Sequence, residues 1–223
     1  MRTTPATSVS RAARSACAAA LLVLAGCASS PPPAPPPPPP TEQAAAEAAP
    51  AAPVIPERAA QEFTQAMTLL DAGKSTDAEL ELQRIALAYP AFAAPQVNLG
   101  VIYERAGKLE DAEKALREAL KRDPENAIAH AELGLVYRKL GKFKEAEASY
   151  VEALRINPQY APAHLNLGVL CDLYLQQPQR ALQAFEQYQQ LSGNSDKRVA
   201  TWIAELKGRL GSNPQPQASE NPQ

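Results

Sequence analysis

Residues 98–124 read NLGVIYERAGKLEDAEKALREALKRDP, and residues 132–158 read ELGLVYRKLGKFKEAEASYVEALRINP. The two stretches align without a gap and share Leu99/Leu133, Gly100/Gly134, Tyr103/Tyr137, Gly107/Gly141, Ala112/Ala146, Ala119/Ala153 and Pro124/Pro158, with Leu116 set against Tyr150. One period further on come Asn166-Leu167-Gly168 and Cys171 in the tyrosine's place, then, after an insertion of a single residue, Ala181 and Phe185. One period before the first stretch lie Gly73, Ala78, Leu82 and Pro90, with Ala66 where the glycine would stand. One unit is written four times.

Each recurring residue has a physical role. Gly100, Gly134 and Gly168 let a neighbouring helix approach where a side chain would clash. Gly107 and Gly141 end a first helix in the left-handed conformation that glycine adopts cheaply. Ala112, Ala146 and Ala181 keep two helices close. Pro124 and Pro158 cannot continue the helix they follow. Each unit is therefore a helix-turn-helix. Charge pairs four residues apart, such as Glu113–Arg117 and Glu118–Arg122, mark solvated outer faces.

This pattern resembles the tetratricopeptide repeat, a helix-turn-helix unit of about 34 residues. The resemblance implies an all-α solenoid of four repeats over 59–92, 93–126, 127–160 and 161–194. A solenoid must close its last apolar face. Lys197–Leu210 places Val199, Ile203, Leu206 and Leu210 at helical spacing, which predicts a C-terminal capping helix over 195–211. Trp202 is expected to plug the core there, a partner surface being the other reading. Residues 212–223 are polar and proline-punctuated, the composition of a disordered tail.

The chain outside the repeats differs in kind. Of its 22 prolines, twelve fall between Pro31 and Pro56 and only six between Glu57 and Leu210. Arg2, Arg11 and Arg14 precede an apolar stretch from Ala16 to Gly26, too short for the roughly 20 residues a membrane-spanning helix needs. That order is a secretory signal peptide. Its end, Leu24-Ala25-Gly26-Cys27, resembles the lipobox of bacterial lipoproteins, with an ordinary signal peptide as the rival reading. The resemblance implies cleavage between Gly26 and Cys27, palmitate-type acyl chains on Cys27, and a stable anchor, because two or more chains hold where one does not. Ala28, not aspartate, follows the cysteine, which by the same resemblance favours an outer-membrane, periplasm-facing location. Residues 27–58 then form a linker. Pro31–Pro40 adopts polyproline II and reaches roughly 30 Å at about 3.1 Å per residue. It reads as a stand-off from the membrane, or else as a ligand for an aromatic groove.

Charge and chemistry narrow the function. The formal net charge is −2, and removal of the segment Met1–Gly26 leaves 19 basic and 24 acidic side chains, a net of −5. No nucleic-acid footprint is present. His130 and His164 repeat at the same place in consecutive units, which favours packing over a metal site. Cys171 takes a core position. No phosphate loop or catalytic set is found, so the expectation is a non-enzyme without cofactor, metal or small-molecule substrate, touching the membrane through its lipid alone.

By the family resemblance, first helices line a concave groove. The positions carried over are Phe63, Met67, Leu70 and Asp71; Val97, Asn98, Val101, Glu104 and Arg105; Ala131, Glu132, Leu135, Arg138 and Lys139; and Leu165, Asn166, Val169 and Asp172. Asn98 and Asn166 suit a ligand's backbone amides. Phe63, Met67, Val97, Val101, Leu135, Leu165 and Val169 form an apolar stripe, suited to an amphipathic helix or apolar peptide. Arg105, Arg138 and Lys139 offer a basic clamp for a carboxylate, although the clamp's fifth-place lysine is replaced by Phe63 or Val97. The alternative is that the stripe is core, or is covered by the chain's own tail.

The expected function is an envelope scaffold that holds a protein partner in this groove. Its order of lipid, spacer and groove resembles lipoproteins that assist type IV pilus secretins. The alternative is an adaptor or regulator of periplasmic cell-wall hydrolases or proteases. Radiolabelled fatty acid should be incorporated into the wild-type chain and be absent from Cys27→Ala; equal labelling of both would remove the anchor.

Overall fold

A computed structural model describes residues Val54–Ser212. The expected signal segment, Cys27 and the proline-rich run lie outside the described residues, as does the expected tail from residue 213. The described residues form nine helices and no strand. They are α1 (Glu57–Asp71), α2 (Ser75–Ala88), α3 (Ala94–Arg105), α4 (Leu109–Arg122), α5 (Ala127–Lys139), α6 (Phe143–Ile156), α7 (Ala161–Leu173), α8 (Pro178–Leu191) and α9 (Lys197–Ser212). Helices α1 to α8 pair as four hairpins, and α9 packs on α8 as the cap.

Two boundaries move slightly. Helix α1 starts at Glu57, inside the expected linker, because Pro56 fixes the chain direction and buried Ala59 draws the first turn onto the core. Helix α9 runs to Ser212, whose hydroxyl donates to the Gly208 carbonyl.

The turn inside each of the first three hairpins follows from one glycine. Gly107 has φ +74°, its N–H reaches the Glu104 carbonyl, and the Lys108 N–H reaches the Tyr103 carbonyl at 2.9 Å. This is a Schellman ending, and Gly141 repeats it. The extra residue of the fourth repeat puts Gln176, not glycine, in the left-handed region.

Glycines in mid-helix act differently. A Cβ on Gly100 would sit 2.5 Å from the Leu116 side chain, one on Gly134 2.7 Å from the Tyr150 ring, and one on Gly168 2.5 Å from the Phe185 ring. Leu116, Tyr150 and Phe185 are all buried. Between repeats the core continues: Ala112, Leu116 and Ala119 meet Ala129, Leu133 and Val136 of the next hairpin. At the C-terminal end Cys171, Phe185, Val199 and Leu206 share one cluster. Trp202 joins it half-buried, its ring 5.4 Å from that of Phe185.

The charges sit as read from the sequence, with Glu113–Arg117 at 3.3 Å and Glu118–Arg122 at 3.0 Å. Others cross between repeats, such as Glu113–Lys142 at 2.7 Å and Glu125–Arg155 at 2.8 Å. These are exposed pairs worth at most about 1 kcal/mol each.

Gly134→Ala should lower unfolding stability by about 1–3 kcal/mol, because the enclosed Tyr150 ring has little room to retreat. A urea midpoint equal to wild type would show that the ring relaxes.

Candidate protein-binding groove

First helices of successive repeats touch one another, α3 on α5 and α5 on α7, so they form the inner layer. The positions carried over from the repeat pattern all lie on α1, α3, α5 and α7. They separate into two rows.

The fifth place is core in the second and third repeats and half-buried against the end clusters in the first and fourth. Val97 is 6% exposed and packs among Leu116, Leu133 and Val136, and Ala131 is buried likewise. At the ends, Phe63 meets the Phe92 ring edge-on at 5.3 Å and Leu165 packs on the capping cluster. Val97 is thus corrected from groove to core: this flank of a first helix faces the next first helix, which covers it. The ninth place stays half-buried in Met67, Val101, Leu135 and Val169. Met67, with Leu70, leans on the first core cluster and Val169 on the last. Val101 and Leu135, at the centre, belong to none of the clusters of buried residues described.

Beside these two lies a polar centre. Glu104 is 7% exposed and pairs with Lys139 from the next repeat. Glu132 is half-buried; burial pushes its carboxyl above the ordinary range, the charge of Glu104 adds to this, and Arg105 opposes it. Arg138 has its guanidinium 6.0 Å from the Tyr174 ring centre, and its Nε is enclosed without a hydrogen-bond partner. The Tyr150 hydroxyl is enclosed too and completes no hydrogen bond; burial pushes it up to about 12, and the neighbouring Arg138 opposes that rise.

The basic clamp is accordingly mostly committed to the fold. Lys139 neutralises Glu104 and Arg138 stacks on Tyr174, which leaves Arg105, exposed and without an ion pair among the described residues. Asn98 spends its Nδ2 on the Ala94 carbonyl at 3.0 Å and keeps its Oδ1 for a ligand. Asn166 is half-buried on α7. Asp172 is engaged by Arg209 of the cap. The Tyr150 hydroxyl is no part of the expected groove, although the repeat carries a signal for it: Leu116 and Phe185 hold the equivalent places, and tyrosine alone brings a hydroxyl there.

The histidines are architectural. Nε2 of His130 lies 2.9 Å from the Pro124 carbonyl and Nε2 of His164 2.9 Å from that of Pro158, tying each helix start to its preceding turn. Cys171 is wholly buried, and burial raises its thiol above the ordinary value, which suppresses the reactive thiolate.

The tetratricopeptide-repeat family model matches residues 63–127, 99–161 and 131–196, together more than half of the chain. The chain belongs to the tetratricopeptide repeat family. No curated protein matches it significantly. Among solved structures it is similar to PilF of Pseudomonas aeruginosa, with a TM-score of 0.63 and 22% identity over 70% of each chain. MamA gives a TM-score of 0.58 and 21% identity over 66% of this chain and 84% of its own. The first repeat domain of RPAP3, bound to the HSP90 peptide SRMEEVD, gives 0.50 and 22% over 53% and 93%. At these identities the likeness is one of fold. Tetratricopeptide repeats mediate protein–protein interaction, and the inner layer just described is where this chain offers mixed apolar and polar contacts.

Glu132 gives a pH test. A carboxyl whose folded pKa is raised binds its proton more tightly in the native state, so its contribution falls as pH rises through that pKa. Glu132→Gln should therefore be more stable than wild type at pH 7, and the gain should vanish below the ordinary carboxylate pKa. Thermal melts across pH 3–8 that show a constant difference would contradict it.

Proposed function

We propose that this chain is a non-catalytic scaffold whose concave groove holds an amphipathic helix or apolar peptide of another envelope protein. The carrying observation is the Val101–Leu135 pair, which stays half-buried on the inner layer outside the core clusters, next to the Glu104–Lys139 and Glu132–Arg105 charges. The pair offers an apolar seat. Glu132, Asn166 and the Asn98 Oδ1 offer acceptors for backbone N–H groups, and such contacts tolerate many sequences. The RPAP3 domain held with its peptide shows that the same fold can cradle a short segment.

The attachment part of this reading rests on the sequence. The lipobox at Leu24–Cys27 and the proline run after it support a lipid-anchored protein on the periplasmic side of a bacterial outer membrane. A lipidation motif, a proline-rich run and a solenoid in that order support a part in assembling or positioning an envelope machine, of which a pilus secretin is the first choice.

Photo-crosslinking residues at positions 101 and 135 should capture that partner in cells. A secretin subunit supports the pilus reading, and a murein hydrolase or protease replaces it with the adaptor reading. Leu135→Glu should lower capture at position 101 by at least tenfold with its circular dichroism unchanged. A large loss of helicity would instead make Leu135 a core residue, and silence at both positions while surface positions react would end the groove proposal.

A further inference from the structure

The second and third repeats act as controls for the first, which departs from them on one flank; the fourth carries Gln189 at the place compared. Where the second and third repeats carry Leu120 and Leu154, the first carries Ala86. Leu120 and Leu154 are half-buried and pack against core clusters. Ala86 is buried as well but ends at its Cβ. A cleft of about 440 Å³ lies there between α2, α3 and α4, floored by Ala86, Leu99 and Ala115 and edged by Leu87, Tyr103 and Lys114.

Two more departures fall beside it. Leu80 and Leu87 stand where the second repeat has Lys114 and Lys121 and the third Ala148 and Arg155. They are 69% and 85% exposed. Seven residues on a helix cover about 10.5 Å, so the two leucines lie on one face, two turns apart. A single exposed leucine needs no explanation. A shortened side chain at the cleft and two exposed leucines along the same helix, each undone in the next repeat, do.

This flank is separate from the groove. Helix α3 sends Leu99 and Tyr103 to the cleft and Val101 and Arg105 to the inner layer. Asp111 and Lys114, one turn apart on the cleft wall, carry no ion pair among the described residues, whereas neighbouring Glu113, Glu118 and Arg122 all do. An occupant with opposite charges one turn apart would match them.

The linker and the C-terminal tail do not supply an occupant. Residues 28–53 and 213–223 contain no leucine, isoleucine, methionine or valine. A second copy is disfavoured too. Antiparallel pairing of α2 with itself would centre between Gln83 and Arg84, where each Arg84 is already held by Glu62 and Glu81 of its own chain and offers no charge to the copy. Two leucines and a cleft also make a small footprint beside the roughly 800 Å² per partner of a stable interface.

We propose that this flank docks an amphipathic helix of another protein, which seats an aliphatic side chain in the Ala86 cleft and a second one, seven residues along, against Leu80. The site is independent of the groove, so the two proposals fail separately.

The test places benzoylphenylalanine at position 87 of the full-length chain in its native cells and identifies the crosslinked segment by mass spectrometry. The expected product is a helical segment of another protein with aliphatic residues seven apart. Ala86→Leu rebuilds the arrangement of the second repeat; it should leave the melting temperature equal or higher and cut the crosslink at least tenfold. Leu80→Lys, the exposed residue's counterpart in the second repeat, should weaken it as well, and Leu135→Glu should not. A product from a second copy or from the chain's own ends, a segment without the spacing, a yield that Ala86→Leu leaves intact, or no product at all would each overturn the proposal.

Discussion

In three of the four repeats a first helix lies so near the large side chain of its second helix that a methyl group would have no space. The gap a Cβ would have to fill is 2.5–2.7 Å at Gly100, Gly134 and Gly168. Because Leu116, Tyr150 and Phe185 then sit over bare backbone, they reach the space between repeats and bury themselves there. The interior is close-packed, so this spacing fixes the separation of the two helices and passes it to the next hairpin. The position of the inner layer, and hence of anything it binds, depends on that approach.

Electrostatics works on a smaller scale. Most ion pairs are exposed and several link one repeat to the next, such as Glu113–Lys142 and Glu125–Arg155. They favour register between hairpins more than they add stability. The polar centre differs because its groups are taken from water. Glu104 has Lys139, Glu132 has only the distant opposition of Arg105, and the Tyr150 hydroxyl completes no hydrogen bond. A groove floor that leaves polar groups incompletely satisfied gains from a ligand that completes them.

The two surfaces assigned to partners arise in different ways. The groove is common to all four repeats and belongs to the family's architecture. The flank at Ala86 is a local exception, and it is recognised only because Leu120 and Leu154 show what the pattern requires. An array of near-identical units makes such an exception visible, since each unit states the expected residue for the others.

The sequence by itself determined the hairpins, their number and their turns. Glycine at positive φ, proline after a helix and alanine at a close contact are short-range steric demands, so their recurrence can be read without coordinates in the first three repeats, whereas the turn at Gln176 in the fourth carries no such mark. The family resemblance pointed to the first helices as one layer, and α3, α5 and α7 do touch in succession. Tertiary structure decided which groove side chains remain available. Val97 and Val101 are both valines on one face of α3, four residues apart, and nothing local separates them. The approach of α5 covers the first and leaves the second. The same holds for Arg138 and Lys139, drawn to Tyr174 and Glu104 by residues of other helices. Local sterics is written in the order of residues, whereas exposure and pairing depend on what the neighbouring repeat brings alongside.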